Sequence, residues 1–256
     1  MYNAFLQHSY RYMKILALSK LQQFLEETAV PKADTVNELK HLFHTIKPLS
    51  MVLDSEETVR HSILEADALL MAGVFDKEKL MPYFRSAVRD FSRPESLFGD
   101  SVKLSSLLRA FGGFVREISR MSSKHVELYV PRNSFCVNKK AAAALFVIFT
   151  NTIYNSIIHG IEPPIERALL SKTKISQIKF DIFEKKEYLY IVQTDDGRGF
   201  DFSQIPVERK SFYSGQGMKS IFMEVQKMQG KIEIQAKRGS CTIIKIKLKK
   251  DIINAG

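Results

Sequence analysis

The spacing of apolar residues divides the chain into a helical first third and a mixed remainder. Phe5, Met13, Leu16, Leu21, Phe24 and Leu25 fall roughly on a helical period, which Pro31 and Asp34 break. From about Thr35 a second stripe, Val36, Leu39, Leu42, Phe43, Ile46, Leu49 and Leu53, predicts a second helix. Asp54 and Ser55 offer a cap for a third helix through Val59, Ile63 and Leu69, which Gly73 ends. Asp76 starts a fourth through Leu80, Phe84 and Val88. Four short helices joined by tight turns predict an antiparallel four-helix bundle over residues 1–92. The Pro-, Gly- and Ser-bearing stretch Ser92–Ser101 (SRPESLFGDS) reads as a linker, with the boundary between the two domains set at 93–102.

Residues 103–251 show helix and strand periods together, so the fold class is α+β. One helix is expected through Leu104, Leu107, Leu108, Phe111 and Ile118, then a strand with Val126, Leu128 and Val130. A long helix runs from about Lys139 to His159. Alternating segments follow near 178–182, 189–192 and 231–236, and a last one spans 241–248. A helix carrying Met218, Ile221, Phe222, Val225 and Met228 lies between them.

Composition narrows the functional classes. The most apolar run, Ala141 to Phe149, stops at Thr150 and Asn151, short of a bilayer span. His8, Tyr10, Arg11 and Lys14 interrupt any signal-peptide core. Cys136 and Cys241 have no metal-ligand spacing and are expected as buried small apolar residues in strands, which fits a reducing cytoplasm. The net charge is +10, and the basic residues are spread along the whole chain. Its densest run, Lys245, Lys247, Lys249 and Lys250, alternates with Ile244, Ile246 and Leu248, as on a strand with one solvated face. That field attracts acidic partners generally and does not call for nucleic acid.

Three short motifs occur in order. In NTIYN, residues 151–155, Asn151 and Asn155 are four apart and share a helix face. A carboxamide oxygen there can join the octahedral shell of a magnesium ion, although paired asparagines on a helix are also commonly just solvated. In DDGRG, residues 195–199, Asp195 ends a strand and can accept a hydrogen bond from an amine such as that of adenine; an ordinary acidic turn has the same composition. Gly197 and Gly199 permit positive φ and bare backbone. In SGQG, residues 214–217, Gly215 and Gly217 precede a helix whose N–H groups and dipole favour phosphate.

The region from about Lys103 to Leu248 resembles the GHKL ATPase superfamily, and within it the catalytic domain of CheA-type chemotaxis histidine kinases. The run NSIIHGIEPPIERALLSK, residues 155–172, is similar to that family's signature. The resemblance implies a GHKL (Bergerat) α/β sandwich that binds ATP and Mg2+. It implies that Asn155 holds the magnesium and Asp195 reads the adenine. Gly197, Gly199, Gly215 and Gly217 would shape the pocket and lid, and His159 would reach the phosphates, the alternative for His159 being a helix-end cap. Asn151 stands where the chemotaxis family usually has a histidine implicated in phosphoryl transfer, and Tyr154 where it has an arginine. The segment between Gly199 and Gly215 is short for an ATP lid and offers Arg209 and Lys210 to a γ-phosphate. No receptor-coupling domain is expected after Leu248.

The expected phosphoacceptor is His44, in LFHTIKP. The helical period turns it away from the Leu39–Phe43–Ile46 stripe as an exposed imidazole, with Lys47 one turn on to stabilise added negative charge. HTIKP also resembles the core of histidine-phosphotransfer domains, with Pro48 in place of a glycine. A proline there costs roughly 3 kcal/mol in a helix interior and predicts a kink just after His44. Together these readings give a two-component histidine kinase of reduced design. ATP bound in the second domain would phosphorylate His44, and a response-regulator receiver domain would take the phosphoryl group. A sensory or receptor protein would supply input, and transfer within a homodimer is allowed. The rival is a degenerate, non-catalytic kinase fold used for phosphotransfer or docking. A serine kinase acting as an anti-sigma switch fits the superfamily site but not the bundle with His44.

Overall fold

The computed structural model describes residues 33–53, 57–72, 101–132, 135–199, 216–237 and 239–254. The chain forms two compact units, Met1–Leu97 and Phe98–Gly256. In the first, helices α1 (Ala33–Leu53) and α2 (Glu57–Met71) pack on each other. Leu39, Phe43, Ile46 and Leu49 of α1 are buried, as are Ile63, Ala66 and Leu70 of α2, so the apolar stripes face inward. Helix α1 continues through Pro48 to Leu53. The first and fourth expected helices lie outside the described residues.

The second unit begins with a short antiparallel pair, β1 (Ser101–Lys103) and β3 (Cys136–Asn138), which the hydrophobic pattern does not reveal. Between them come α3 (Leu104–Ala110), α4 (Gly112–Met121) and β2 (Val126–Tyr129). The single helix expected over 104–118 is therefore two, divided at Phe111, whose buried ring meets Phe114, Phe146 and Phe149. Helix α5 (Lys139–Asn155) is capped by Asn138, whose side chain accepts from the Ala141 N–H. It runs into a π-helical turn, Ser156–Gly160, and then a short helix α6 (Pro164–Leu169).

Strands β4 (Ser176–Lys185), β5 (Tyr188–Asp195), β6 (Lys231–Lys237) and β7 (Cys241–Lys249) join β2 in a five-stranded sheet ordered β2-β4-β5-β7-β6. Its pairs are antiparallel except β2 with β4. Strict alternation buries Ile178, Phe180, Leu189, Ile191, Ile244, Ile246 and Leu248 on one face. That face and helices α5 and α7 (Gln216–Lys227) enclose the core, giving a two-layer α/β sandwich. A last turn of helix, α8 (Lys250–Ile253), follows β7.

Two expectations need correction. Residues 139–160 are long and apolar enough to cross a bilayer, but most of this stretch is buried inside the second unit, so it is a core helix. Cys136 is exposed and Cys241 half-buried, because β3 and the start of β7 lie at the margins of their sheets.

Candidate functional site

The centre of the site is Asp195, the last residue of β5 and 2% exposed. The Ser156 hydroxyl donates to its Oδ2 at 2.7 Å, and the Gly197 N–H to its Oδ1 at 3.1 Å. Gln193 Nε2 donates to Ser156 Oγ at 3.0 Å, which leaves the serine proton directed at the carboxylate. Burial pushes the Asp195 carboxyl above the usual range, and Ser156 and Gly197 offset only part of that shift.

The turn after Asp195 is stitched to the turn after Asn155. The Arg198 N–H donates to the Gly160 carbonyl at 2.8 Å. A Cβ on Gly197 would lie 2.4 Å from that same oxygen, so only glycine fits this crossing. Gly197 is thus required by chain packing, not by positive φ; Gly199, at φ 54°, is the residue in the left-handed region. The π turn explains how Ser156 reaches Asp195: widening the helix by one residue redirects the side chains that follow Asn155. Lys124 caps it, donating to the carbonyls of Ile157 and Ile158 at 2.6 and 2.9 Å. Burial, then the neighbouring Arg198, lowers the Lys124 pKa.

A buried ionic cluster supports the same turn. Glu162 is fully buried and Arg167 is 1% exposed. Arg167 donates to Glu162 Oε2 at 3.1 Å, to Asp196 Oδ2 at 2.8 Å and to the Thr173 carbonyl at 2.7 Å. Lys172 donates to Glu162 Oε1 and to the Gly197 carbonyl, both at 2.7 Å. Asp196 Oδ1 accepts from Ser176 Oγ and, at 2.9 Å, from the Gln177 N–H. Burial pushes Glu162 up, but Lys172, a backbone amide and Arg167 together hold it below the usual carboxylate range.

The remaining expected residues are placed as follows. Asn151 is buried and its amide donates to the Val147 carbonyl at 2.9 Å, whereas Asn155 is half-buried at the end of α5. His159 is exposed. Gly217 lies in the first turn of α7, one position inside the helix that it was expected to precede; Gly215, with Arg209 and Lys210, falls outside the described residues. Tyr154, half-buried, sits beside Asn155.

In the first unit His44 is not the freely exposed imidazole expected. Its side chain is 26% exposed and its buried Nδ1 points at Asp67 Oδ1, 3.8 Å away, with no hydrogen bond on either atom among the described residues. Lys47 donates to the other oxygen of Asp67 at 2.8 Å. Burial raises the Asp67 carboxyl, but His44 and Lys47 outweigh burial and hold it below its ordinary value. Sequence reading missed Asp67, Ser156 and Gln193 because partners 20 to 39 residues apart leave no local period.

The residues fit a nucleotide and a magnesium ion. Each Asp195 oxygen has one side-chain or turn donor here and keeps acceptor capacity for an amine; Gln193 Oε1 is a buried acceptor lacking a donor among the described residues. Asn155 offers a carboxamide oxygen on the same turn, where one neutral ligand suits an ion that retains most of its waters.

No family model matches the chain. It is 32% identical over 100 residues to the gliding motility regulatory protein of Myxococcus xanthus, a match covering 39% of this chain and 13% of that protein. It is 23% identical over 180 residues to the sensor histidine kinase CheAY of Helicobacter pylori, covering 57% and 22% respectively. The matched segments thus span between about an eighth and a quarter of these relatives' lengths. Among solved structures, the histidine kinase domain of a blue-light activated kinase from Erythrobacter litoralis superposes with a TM-score of 0.45 at 12% identity, covering 94% of this chain and 93% of that one. The similarity in sequence is to histidine kinases as a class. Within that class, the resemblance is to the CheA type with its GHKL catalytic domain.

Proposed function

We propose that this chain is an ATP-dependent protein-histidine kinase that phosphorylates its own His44 and passes the group to an aspartate of a response-regulator receiver domain. The observation that carries the reading is the Asp195 carboxylate, buried and oriented by Ser156 and Gly197 beside the turn bearing Asn155 and His159. Asp195 would accept the exocyclic amine of adenine, and Asn155 would hold magnesium, which supplies charge neutralisation at the phosphates. Gly215 and Gly217 would line the phosphate end, with His159 reaching towards it. Asn151, buried in α5, would act by holding the helix end in place.

In the first unit, Nδ1 of His44 lies buried against Asp67, which leaves Nε2 as the nitrogen to attack. A bond would form from Nε2 to the γ-phosphorus as the bond to the bridging oxygen breaks, ADP leaving. Lys47 would then pair with the new phosphoryl charge as well as with Asp67. A cytoplasmic setting and a separate sensory or receptor partner belong to the same reading.

Incubation with γ-labelled ATP and magnesium tests it. Acid-labile label on the wild type, absent from His44→Gln and Asn155→Ala, is the expected result. No label together with no nucleotide binding would overturn it in favour of a docking or phosphotransfer module.

A further inference from the structure

The outer face of the five-stranded sheet bears exposed and half-buried side chains among the described residues, and it has a character that the nucleotide site does not use. Lys179 and Lys185 on β4, Lys245, Lys247 and Lys249 on β7, and Lys231 on β6 share this face by register. The acids on the same face are Glu127, Asp181 and Glu233, and Glu233 approaches Lys245 at 3.7 Å. Aromatic rings run between the lysines: Phe183 stacks on Tyr190 at 5.2 Å, and Lys247 lies 3.7 Å over the Tyr188 ring. Lys245 stands 5.3 Å over Tyr190, and Lys179 5.7 Å over Tyr129. Phe183 and Tyr129 remain 44% and 43% exposed.

The charge is local to this unit. Residues 98–256 carry 26 Lys+Arg against 15 Asp+Glu, whereas residues 1–97 carry 12 against 13, so basic residues occur throughout but the net positive charge lies in the second unit. A second copy would present like charge to this face, and nucleic acid would need open rings on which bases stack. Here Lys247 covers the Tyr188 ring, Lys245 stands over Tyr190, and Asp181 and Glu233 interrupt any phosphate track. Tyrosines around a small apolar centre of Val192, Ile243 and Phe183, rimmed by lysines, have the make-up of a protein interface.

We propose that this outer face docks an acidic protein surface, rich in Asp and Glu, with apolar residues that meet Phe183 and Tyr190. The inference stands apart from the kinase reading, because no residue of the nucleotide site takes part. The test uses the full chain and a fluorescein-labelled peptide of alternating glutamate and leucine, followed by anisotropy. Lys245→Glu/Lys247→Glu should weaken binding at least about tenfold, since like charges are placed opposite the acids. Phe183→Ala should weaken it several-fold, and the off-face control Arg116→Glu/Lys140→Glu should change it less than about twofold. If the reversed pair does not fold, Lys245→Gln/Lys247→Gln gives the same comparison with a smaller expected loss. Equal weakening by the control, no effect of Phe183→Ala, or tighter binding of a thymidine 20-mer lost with the same lysines would each overturn the proposal. Concentration-dependent dimerisation abolished by Phe183→Ala would overturn it in favour of a second copy.

Discussion

At the scale of single residues, two carboxylates are shifted in opposite directions, and each shift fixes the sign of a measurement. Asp195 is raised by burial, so the folded chain holds its proton more firmly than the unfolded chain. The stabilisation this provides is complete below the ordinary carboxylate value and is lost as pH rises through the raised one. Asp195→Asn removes the buried charge; at neutral pH its thermal midpoint should match or exceed the wild type. Its ATP affinity should nonetheless fall by about 10- to 100-fold, the loss of a hydrogen bond to a charged acceptor. Calorimetry and scanning fluorimetry on the same samples check both halves. Asp67 is held low by His44 and Lys47 against the effect of burial, so its contribution is present above the ordinary value and disappears as pH falls through the lowered one. Asp67→Asn should therefore flatten the acid limb of stability and, by freeing the imidazole, slow labelling of His44. An unchanged acid limb, followed by circular dichroism, would show that the pair adds nothing to stability.

At the scale of elements, the segment from Asn155 to Lys172 acts as one device. Its π turn brings Ser156 to Asp195, Gly160 receives the Arg198 N–H, and Arg167 and Lys172, both held by Glu162, clamp the Asp196–Gly197 backbone from behind. Arg167 touches neither Asp195 nor Asn155 in any hydrogen bond of the described residues, yet its loss takes one cationic partner from each of Glu162 and Asp196. Arg167→Met should cost about 3 kcal/mol, the lower end for a broken buried pair, because Lys172 still neutralises Glu162. It should also weaken ATP binding several-fold with Asp195 intact, as the turn loosens. Denaturant melts, and titrations well below the variant's midpoint, separate the two effects; full affinity in the folded variant would assign the cluster to stability alone.

At the scale of the whole molecule, the nucleotide residues and His44 belong to different compact units. The kinase reading therefore predicts that residues 98–256 made alone bind ATP with near wild-type affinity. It also predicts that they label a separate 1–97 fragment at His44, more slowly than in the intact chain because the encounter becomes bimolecular. Magnesium chelation should abolish this labelling. Label appearing on 98–256 itself would place the acceptor elsewhere.

Much of this was legible in the sequence where the physics is local. The alternation of Ile178, Phe180 and Ile182 with Lys179 and Asp181 declared β4, and the apolar run from Ala141 to Phe149 lay inside the long helix expected there, because side-chain direction follows backbone period. Gly197 could be recognised as special, and Asp195 could be placed at a strand end. The tertiary structure alone decided why: Gly197 is excluded from carrying a Cβ by the Gly160 carbonyl, 37 residues earlier in the chain, and Asp195 is oriented by Ser156 across a π turn that no hydrophobic period encodes. It also turned His44 from a solvent-facing residue into one with a buried nitrogen, because Asp67 lies on the neighbouring helix. Sequence periodicity sets which face of an element is apolar; the polar partners that tune a carboxylate or an imidazole come from elements packed against it, and only the folded chain brings them within a hydrogen bond.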